Sequence, residues 1–183
     1  GHFDAYHHKA PVYHQFQMRM IEAESFNGVD IHQEDANQLA RHINVDLTYL
    51  DPPYNSRQYS RFYHVYENLV QWKKPKLYGT ALKPKEEKMS DYCRNAAFNV
   101  FTDLVSHVQS RYLVVSYNNT YHSKSSSSEN KIKLEQLEEV LNKCGRTQVF
   151  NHAFKAFNSG KTEFEDHREY LFITEVDDER RNL

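Results

Sequence analysis

An apolar run that stops at two consecutive prolines constrains this chain more than any other feature. The run VDLTYL, at residues 45–50, is typical of a β-strand, and it is followed directly by Asp51-Pro52-Pro53-Tyr54. The two prolines remove two backbone donors and fix two φ angles, and the first drives the residue before it towards extended geometry. The strand must therefore end at Asp51, in a stiff conformation that contributes little to a core.

Strand and helix patterns alternate along the rest of the chain. Apolar residues at helical spacing predict helices at 11–25, 59–70, 98–108 and 134–144, the last closed by Gly145, while β-type runs predict strands at 29–35, 45–50, 111–119, 147–157 and 168–176. The aromatic stripe of the second helix is expected to pack in a core. This order predicts an α/β sheet with helices on both faces.

Length and composition set the broad class of protein. The 183 residues suit a single domain over 1–183, with a frayed tail at 177–183. The net charge of −2 means that any nucleic-acid binding must come from local patches. Cys93 and Cys144 have neither metal-ligand nor disulfide spacing, and no membrane-length apolar run or signal peptide is present. We therefore predict a cytoplasmic protein without a metal site or a membrane partner.

Polar residues follow three of the predicted strands. They are Glu34 and Asp35, the Asp51–Tyr54 segment, and Asn118 with Asn119. In sheets of this class, ligands bind beyond the carboxyl ends of the strands. The three groups are therefore expected to converge on one functional edge.

The Asp51–Tyr54 segment suits chemistry on an amine. An amine on an aromatic ring is a poor nucleophile because its lone pair is shared with the ring. The Asp51 carboxylate and the Pro52 carbonyl offer acceptors that draw the lone pair back onto nitrogen. The rigid Pro52-Pro53 pair holds these acceptors in place before the substrate arrives. Tyr54 adds a ring on which a flat aromatic substrate can stack.

The motif and its flanks carry a family resemblance. DPPY between VDLTYL and NSRQYSRFYHVYENL, together with YNNTYHSKSSSSENK further on, resembles the Dam-like class of adenine-N6 DNA methyltransferases, and within it the modification enzymes of restriction systems. The resemblance covers roughly residues 29–176. It implies a Rossmann-like sheet, S-adenosylmethionine as cofactor, duplex DNA as substrate and direct methyl transfer without a covalent enzyme intermediate.

The resemblance also implies roles for individual residues. Asp51, Pro52, Pro53 and Tyr54 are expected to be catalytic, and cofactor binding is expected from Asp35, with Glu34 as the alternative, and from Asp51. Predicted nucleic-acid contacts are Asn55, Arg57, Arg61, Asn118, Asn119, Lys124 and Ser125. The lysine-rich stretch at 73–88 is a second candidate DNA face.

One hallmark of the class is missing from the sequence. The Phe-x-Gly-x-Gly loop has no match, because no two of the five glycines have the required spacing. The chain therefore resembles the carboxyl-terminal part of a methyltransferase that lacks its first strands. It is a fragment, half of a split enzyme whose partner chain supplies the missing part, or a copy that has lost catalysis. An RNA base-amine methyltransferase and a non-catalytic nucleic-acid-binding or assembly remnant are the alternative functions.

Overall fold

The structure, a computed structural model, describes residues 27–79, 82–85, 89–120, 129–154 and 166–181. Backbone contacts divide the chain into two units. The sheet unit comprises Asp35–Tyr59 and Glu86–Leu183, and the lysine-rich unit comprises Gly1–Glu34 and Ser60–Lys85. The predicted helix at 11–25 lies outside the described residues.

The regular elements follow one another in an order close to the predicted one. They are α1 (Ala36–Leu39), β1 (Asn44–Leu50), α2 (Tyr59–Phe62), α3 (His64–Gln71), β2 (Leu77–Tyr78), β3 (Lys83–Pro84), α4 (Ala97–His107), β4 (Gln109–Asn118), α5 (Leu134–Asn142), β5 (Gly145–Ala153), β6 (Arg168–Val176) and α6 (Asp178–Arg181). A short 3₁₀ turn at Asp91–Cys93 precedes α4.

The sheet unit is built on four strands in the order β1–β4–β6–β5. β1 runs parallel to β4, whereas β6 is antiparallel to both β4 and β5. A mixed sheet with helices between its strands confirms the predicted α/β class. Because β1 and β4 are parallel, their carboxyl ends meet at the same edge of the sheet.

The core of the sheet unit is formed by every second residue of the central strands. On β4 and β6 these residues alternate with partly exposed ones, as the twofold period of a strand requires. Apolar residues of α4 and α5 complete the same cluster. Its largest fully buried members include Phe101, Val105, Leu113, Val115, Tyr117, Leu137, Leu141 and Phe172.

The opposite face of the sheet remains partly exposed at its β1 edge. Leu47 and Tyr49 are 54% and 57% exposed, and they lie in register with Tyr112 and Val114 of β4. Apolar side chains therefore reach the surface in the strand that precedes the proline pair.

A buried asparagine attaches α1 to α4. The Asn37 side chain donates to the Val100 carbonyl at 2.8 Å and to the Asp103 carboxylate at 2.7 Å, and it accepts from the Tyr92 hydroxyl at 2.8 Å. The Arg41 guanidinium also pairs with Asp103 at 2.7 Å. Hydrogen bonds from Arg41 and then Asn37 hold the pKa of the Asp103 carboxyl below its usual range. This network fixes the segment immediately before β1.

The strand predicted at 29–35 does not form. The described segment has no regular structure up to Asp35, and Val29 and Ile31 are 63% and 90% exposed. No described strand pairs with it. A β-type run becomes a strand only when a neighbour takes up its backbone hydrogen bonds, so the prediction from pattern alone was wrong here.

Gly145 and the tail also differ from their predicted states. Gly145 does not close α5; it is the first residue of β5, where an added Cβ would overlap the carbonyl oxygen of Glu175. In the predicted frayed tail at 177–183, Asp178–Arg181 form α6, and the Arg180 side chain donates to the carbonyl oxygen of Ser106 at 3.1 Å. The close approach of β5 to β6 explains why position 145 is a glycine. The hydrogen bond from Arg180 to Ser106 attaches the carboxyl-terminal segment to the sheet unit.

The lysine-rich unit contains α3 and the β2–β3 pair. α3 follows α2 after a break at Tyr63 and ends at Trp72, which adopts the left-handed conformation with φ 50°. The aromatic stripe expected in a core is exposed instead: Tyr66 and Leu69 are 48% and 60% exposed, and Val70 is 86% exposed. The stripe therefore lies on the surface.

The described residues include neither a membrane-spanning helix nor a cluster of metal ligands. None of the described helices has the length and apolar content needed to cross a membrane. Within the described ranges, no group of three or more histidine, cysteine or acidic side chains is arranged to hold a metal ion.

Candidate active site

The predicted catalytic loop begins where β1 ends. Leu50 lies opposite Val115 in the parallel β1–β4 register, so Asp51 continues the chain beside Ser116. The Asp51 side chain is exposed at this edge. The expected meeting of the loop after β1 with the end of β4 is confirmed, and it puts an accessible carboxylate at the edge where sheets of this class bind ligands.

The two oxygens of the Asp51 carboxylate have different surroundings. Oδ1 accepts hydrogen bonds from the Tyr54 hydroxyl at 2.9 Å and from the Ser116 hydroxyl at 3.0 Å. Among the described residues, none donates to Oδ2. The carboxylate is therefore held through one oxygen and can accept a substrate N–H through the other.

Tyr54 is fixed by its backbone as well as by its hydroxyl. Its carbonyl accepts from the Lys131 backbone N–H at 2.8 Å and from the Tyr117 hydroxyl at 3.2 Å. The Tyr54 ring meets the Tyr117 ring edge-on, with centroids 4.8 Å apart. Burial raises the pKa of the Tyr54 hydroxyl well above its usual value, so the group stays protonated and donates to Asp51 at neutral pH.

The proline pair leaves a second acceptor at the site. No described residue donates to the Pro52 carbonyl oxygen, and neither proline has an N–H that could compete for the acceptors. Pro52 and Pro53 are both half-buried. Two acceptors, the Asp51 Oδ2 and the Pro52 carbonyl, thus belong to consecutive residues with restricted backbones.

The predicted cofactor acids do not follow a strand along the described chain. Asp35 is the N-cap of α1, where its carboxylate accepts from the Gln38 backbone N–H at 3.1 Å. Glu34, in the lysine-rich unit, contacts the ring of His32 at 3.1 Å. The expectation that both follow a strand was wrong, because that strand is absent; their cofactor role stays a prediction.

The asparagines after β4 hold the neighbouring loops together. Asn119 donates to the Asp166 carbonyl at 2.7 Å and accepts from the Arg168 backbone N–H at 2.9 Å. Asn118 accepts from the Asn130 side chain at 2.9 Å. The amide of Asn119 therefore joins β4 to β6, and its contact with DNA stays a prediction.

The other predicted nucleic-acid contacts have varied surroundings. Asn55 accepts from the Arg57 backbone N–H at 3.0 Å, which forms a tight turn after the prolines, and Arg57 itself is exposed. The Arg61 side chain, Lys124 and Ser125 lie outside the described residues.

Three further residues of the site were not predicted from the sequence. Ser116 was read only as part of a strand, although it lies two positions before Asn118 and therefore on the same face. Tyr117 was likewise only part of the predicted strand, yet its hydroxyl accepts from the Ile132 N–H at 3.2 Å and donates to the Tyr54 carbonyl. Glu169 lies on β6 opposite Asn118, a pairing that no local pattern shows.

The chain is similar to a family of DNA methyltransferases and to individual members of restriction–modification type. Residues 1–115 match the model of the D12 class of N6 adenine-specific DNA methyltransferases. The chain is 32% identical over 152 residues to the type II methyltransferase M.FokI of Planomicrobium okeanokoites, covering 80% of this chain and 22% of that protein. It is also 32% identical over 156 residues to the type II methyltransferase M.NlaIII of Neisseria lactamica, covering 81% and 43%.

A third relative matches a shorter part of the chain. The modification methylase StsI of Streptococcus sanguinis is 40% identical over 88 residues, which cover 47% of this chain and 14% of that protein. The chain thus spans less than half the length of these relatives. The family model matches well over half of the chain. The chain therefore belongs to the D12 class of N6 adenine-specific DNA methyltransferases.

Proposed function

We propose that this chain carries the catalytic loop of an enzyme that transfers a methyl group from S-adenosylmethionine to the N6 amine of adenine in duplex DNA. The observation that carries the proposal is the Asp51 carboxylate, held through Oδ1 by Tyr54 and Ser116 and exposed beyond the end of β1. The names of the similar proteins, which are type II methyltransferases and modification methylases, support a place in a restriction–modification system.

The acceptors would act on the two N–H groups of the amine. One N–H would donate to Asp51 Oδ2 and the other to the Pro52 carbonyl, so that the nitrogen lone pair is directed out of the ring system towards the methyl group. Because the acceptors are held before the substrate binds, little reorganisation is needed during the reaction. Electrostatic preorganisation of this type contributes about 100- to 1,000-fold in rate for a single group.

The substrate base must leave its stack to reach these acceptors. An adenine inside a duplex hides its amine in a base pair, so enzymes that modify bases extrude them into a pocket. Asn55 and Arg57, which form the turn directly after the prolines, are the proposed contacts to the extruded nucleotide. Stacking of the base on Tyr54 stays a prediction; the Tyr54 hydroxyl additionally holds Asp51.

The chemical character of the site fits the cofactor. S-adenosylmethionine, when bound, supplies a methyl group on a positively charged sulfur. The site presents the exposed carboxylate of Asp51, with Glu169 close enough for the two charges to interact. We propose that Asp35, or Glu34 as the alternative, binds the adenosine part. A segment with the Phe-x-Gly-x-Gly loop, which this sequence does not contain, would complete the cofactor site.

The test is methyl transfer by the enzyme assembled from this chain and a segment that carries the Phe-x-Gly-x-Gly loop, hereafter the assembled enzyme. Radiolabelled S-adenosylmethionine is supplied with duplex DNA, tRNA and rRNA in parallel. We expect label in N6-methyladenine of the DNA, and a loss of about 100-fold or more in the Asp51→Ala variant.

A matched control separates chemistry from folding. Asp46 is an exposed acid on β1, five residues before Asp51, so Asp46→Ala should keep the wild-type rate. Transfer to RNA alone would favour an RNA base-amine methyltransferase. Absence of cofactor binding in the assembled enzyme, measured by calorimetry, would favour a non-catalytic nucleic-acid-binding module. Full activity of Asp51→Ala would end the catalytic assignment.

A further inference from the structure

A second carboxylate lies on the same face of the sheet as the group that holds Asp51. Glu169 of β6 is directly opposite Asn118 of β4, and Leu171 is opposite Ser116. Glu169 is therefore a diagonal neighbour of Ser116, and such residues lie about 7–8 Å apart or closer. Ser116 also donates to Asp51. Asp51 and Glu169 are therefore both neighbours of the same serine.

A histidine with little exposure holds this second carboxylate. The Nε2 atom of His167 lies 3.4 Å from Glu169 Oε1, and the His167 Nδ1 atom lies 3.4 Å from the Thr120 hydroxyl. The His167 side chain is only 8% exposed, whereas the Glu169 side chain is 39% exposed. Asn118 also forms a side-chain hydrogen bond with Glu169. The Glu169 carboxylate is thus held by His167 and Asn118 and is also accessible to water.

The charged groups around Glu169 come from three elements. Asp51 and the Tyr54 hydroxyl face it from the loop after β1, His167 lies just before the start of its strand, and His152 lies opposite it on β5. Burial raises the pKa of the Glu169 carboxyl and the Asp51 charge adds to the rise, while His167 and Asn118 oppose it. Glu169 therefore takes up a proton more readily than an ordinary glutamate does.

Methyl transfer to an amine releases one proton. The nitrogen lone pair forms the new N–C bond, the electrons of the C–S bond remain on sulfur as a neutral thioether, and the nitrogen then loses one hydrogen as a proton. Asp51 is the acceptor next to that nitrogen under the proposed function. For the next turnover Asp51 must pass the proton on, and Glu169 is a neighbouring carboxylate with access to solvent.

We propose that Glu169 is a positioning residue that acts through Asp51: it takes the proton from Asp51 after methyl transfer and releases it to water. This inference rests on the proposed function. The Tyr54 hydroxyl, which hydrogen-bonds Asp51 and interacts electrostatically with Glu169, lies in the same network. His167 and Asn118 keep the second carboxylate in place.

The kinetic test compares Glu169→Gln with wild type in multiple-turnover methyl transfer by the assembled enzyme across pH 5–8, because Glu169 is proposed to act on Asp51 between one turnover and the next. A carboxylate with a raised pKa must be ionised to accept a proton, so the wild-type rate should rise with pH through a midpoint above the ordinary glutamate value of about 4.3. The Gln variant should lose this limb and fall about tenfold in kcat, with an unchanged KM for DNA. Glu169→Asp should recover part of the rate.

A control acid on the same strand makes the result specific. Glu175 also lies on β6 and pairs with Arg146 at 2.9 Å, so Glu175→Gln should keep both the rate and the pH profile. If Glu169→Gln matches wild type in both, or only raises KM, the proposal is wrong. Circular dichroism and urea unfolding show whether each variant is folded.

A second readout needs no activity. The Glu169 carboxyl is titrated by ¹³C NMR in the full chain, in wild type and in Asp51→Asn. Because the Asp51 charge contributes to the raised pKa of Glu169, the titration midpoint should move to lower pH in the variant. An unchanged midpoint would overturn the coupling. If the assembled enzyme does not methylate duplex DNA, the proposed function fails, whereas the NMR titration still decides whether the two acids interact.

Discussion

At the scale of single residues, the proposed site depends on one carboxylate whose two oxygens have different partners. Asp51 binds Tyr54 and Ser116 through Oδ1, and Oδ2 has no donor among the described residues. The donors are hydroxyls rather than charged groups, so they orient the carboxylate without neutralising it. The negative charge is thereby kept, as the proposed interactions with an amine and with a positively charged cofactor require.

Replacement of Tyr54 by Phe tests the contribution of one of these donors. The variant keeps the ring that meets Tyr117 but loses the hydroxyl that binds Asp51 at 2.9 Å. A hydrogen bond to a charged group contributes about 1.5–3 kcal/mol, so we expect a fall of roughly tenfold or more in single-turnover methyl transfer. DNA affinity should change little.

The appropriate control removes another hydroxyl of the sheet unit. Tyr112 lies on β4 four residues before Ser116, so Tyr112→Phe should leave the transfer rate unchanged. Equal rates for Tyr54→Phe and wild type would show that Ser116 alone is enough to orient Asp51.

At the scale of elements, the sequence predicted β1, α4, β4, α5 and β6 well. Their periods are regular and their residues pack on one core, so pattern and environment agree. The strand at 29–35 failed because its pattern has no described neighbour to pair with. Gly145 was misjudged because a glycine at the end of a helix predicts a C-cap, and only the β5–β6 register shows its contact with Glu175.

The pairing of the strands explains why some residues of the site could be predicted from the sequence and others could not. The Asp51–Tyr54 segment is local in sequence, so its chemistry was visible before its structure was known. Ser116 and Glu169 act across strands, and their roles depend on which residues become neighbours when β4 pairs with β1 and β6. No local composition or spacing contains that information.

Gly145→Ala tests the close approach of β5 and β6. An added Cβ would overlap the Glu175 carbonyl and lie 2.9 Å from the Val176 Cα, both of which are backbone atoms that cannot rotate away. Overpacking of this kind costs about 1–3 kcal/mol. We expect that loss in the free energy of unfolding, measured with urea.

Gln148→Ala, at an exposed position of the same strand, serves as the control and should change the free energy of unfolding by less than about 0.5 kcal/mol. If Gly145→Ala were as stable as wild type, the two strands would have to lie further apart at this end than the structure shows.

At the scale of the whole molecule, the proposed DNA binding must rely on local charge. The net charge of −2 provides no overall attraction to a polyanion. The lysine-rich unit concentrates exposed cations after α3, where Lys74 lies over the Trp72 ring at 5.4 Å and Lys76 over the Tyr78 ring at 5.6 Å. We propose this surface as the second DNA-contacting face.

Removal of its charges gives a quantitative expectation. Each lysine that neutralises a phosphate contributes about 0.9 to the slope of log K against log salt. The triple variant Lys73→Ala, Lys74→Ala, Lys76→Ala should therefore reduce the slope by roughly 2–3 for the assembled enzyme, to a similar extent on specific and non-specific duplexes. Fluorescence anisotropy at several salt concentrations measures it.

Two exposed lysines of the sheet unit provide the comparison. Lys133 and Lys143 flank α5, and their replacement by alanine should leave the salt slope unchanged. If this pair reduced the slope as much per charge as the lysine-rich surface does, the surface would have no special role in binding DNA.

The central claim is that the amine of an extruded adenine binds Asp51 and the Pro52 carbonyl. It is tested most directly by a crystal structure of the assembled enzyme with duplex DNA and an unreactive analogue of S-adenosylmethionine. We predict the adenine outside the stack, with its N6 atom about 3 Å from Asp51 Oδ2 and from the Pro52 carbonyl oxygen. An extruded adenine whose amine contacts neither acceptor would contradict the account.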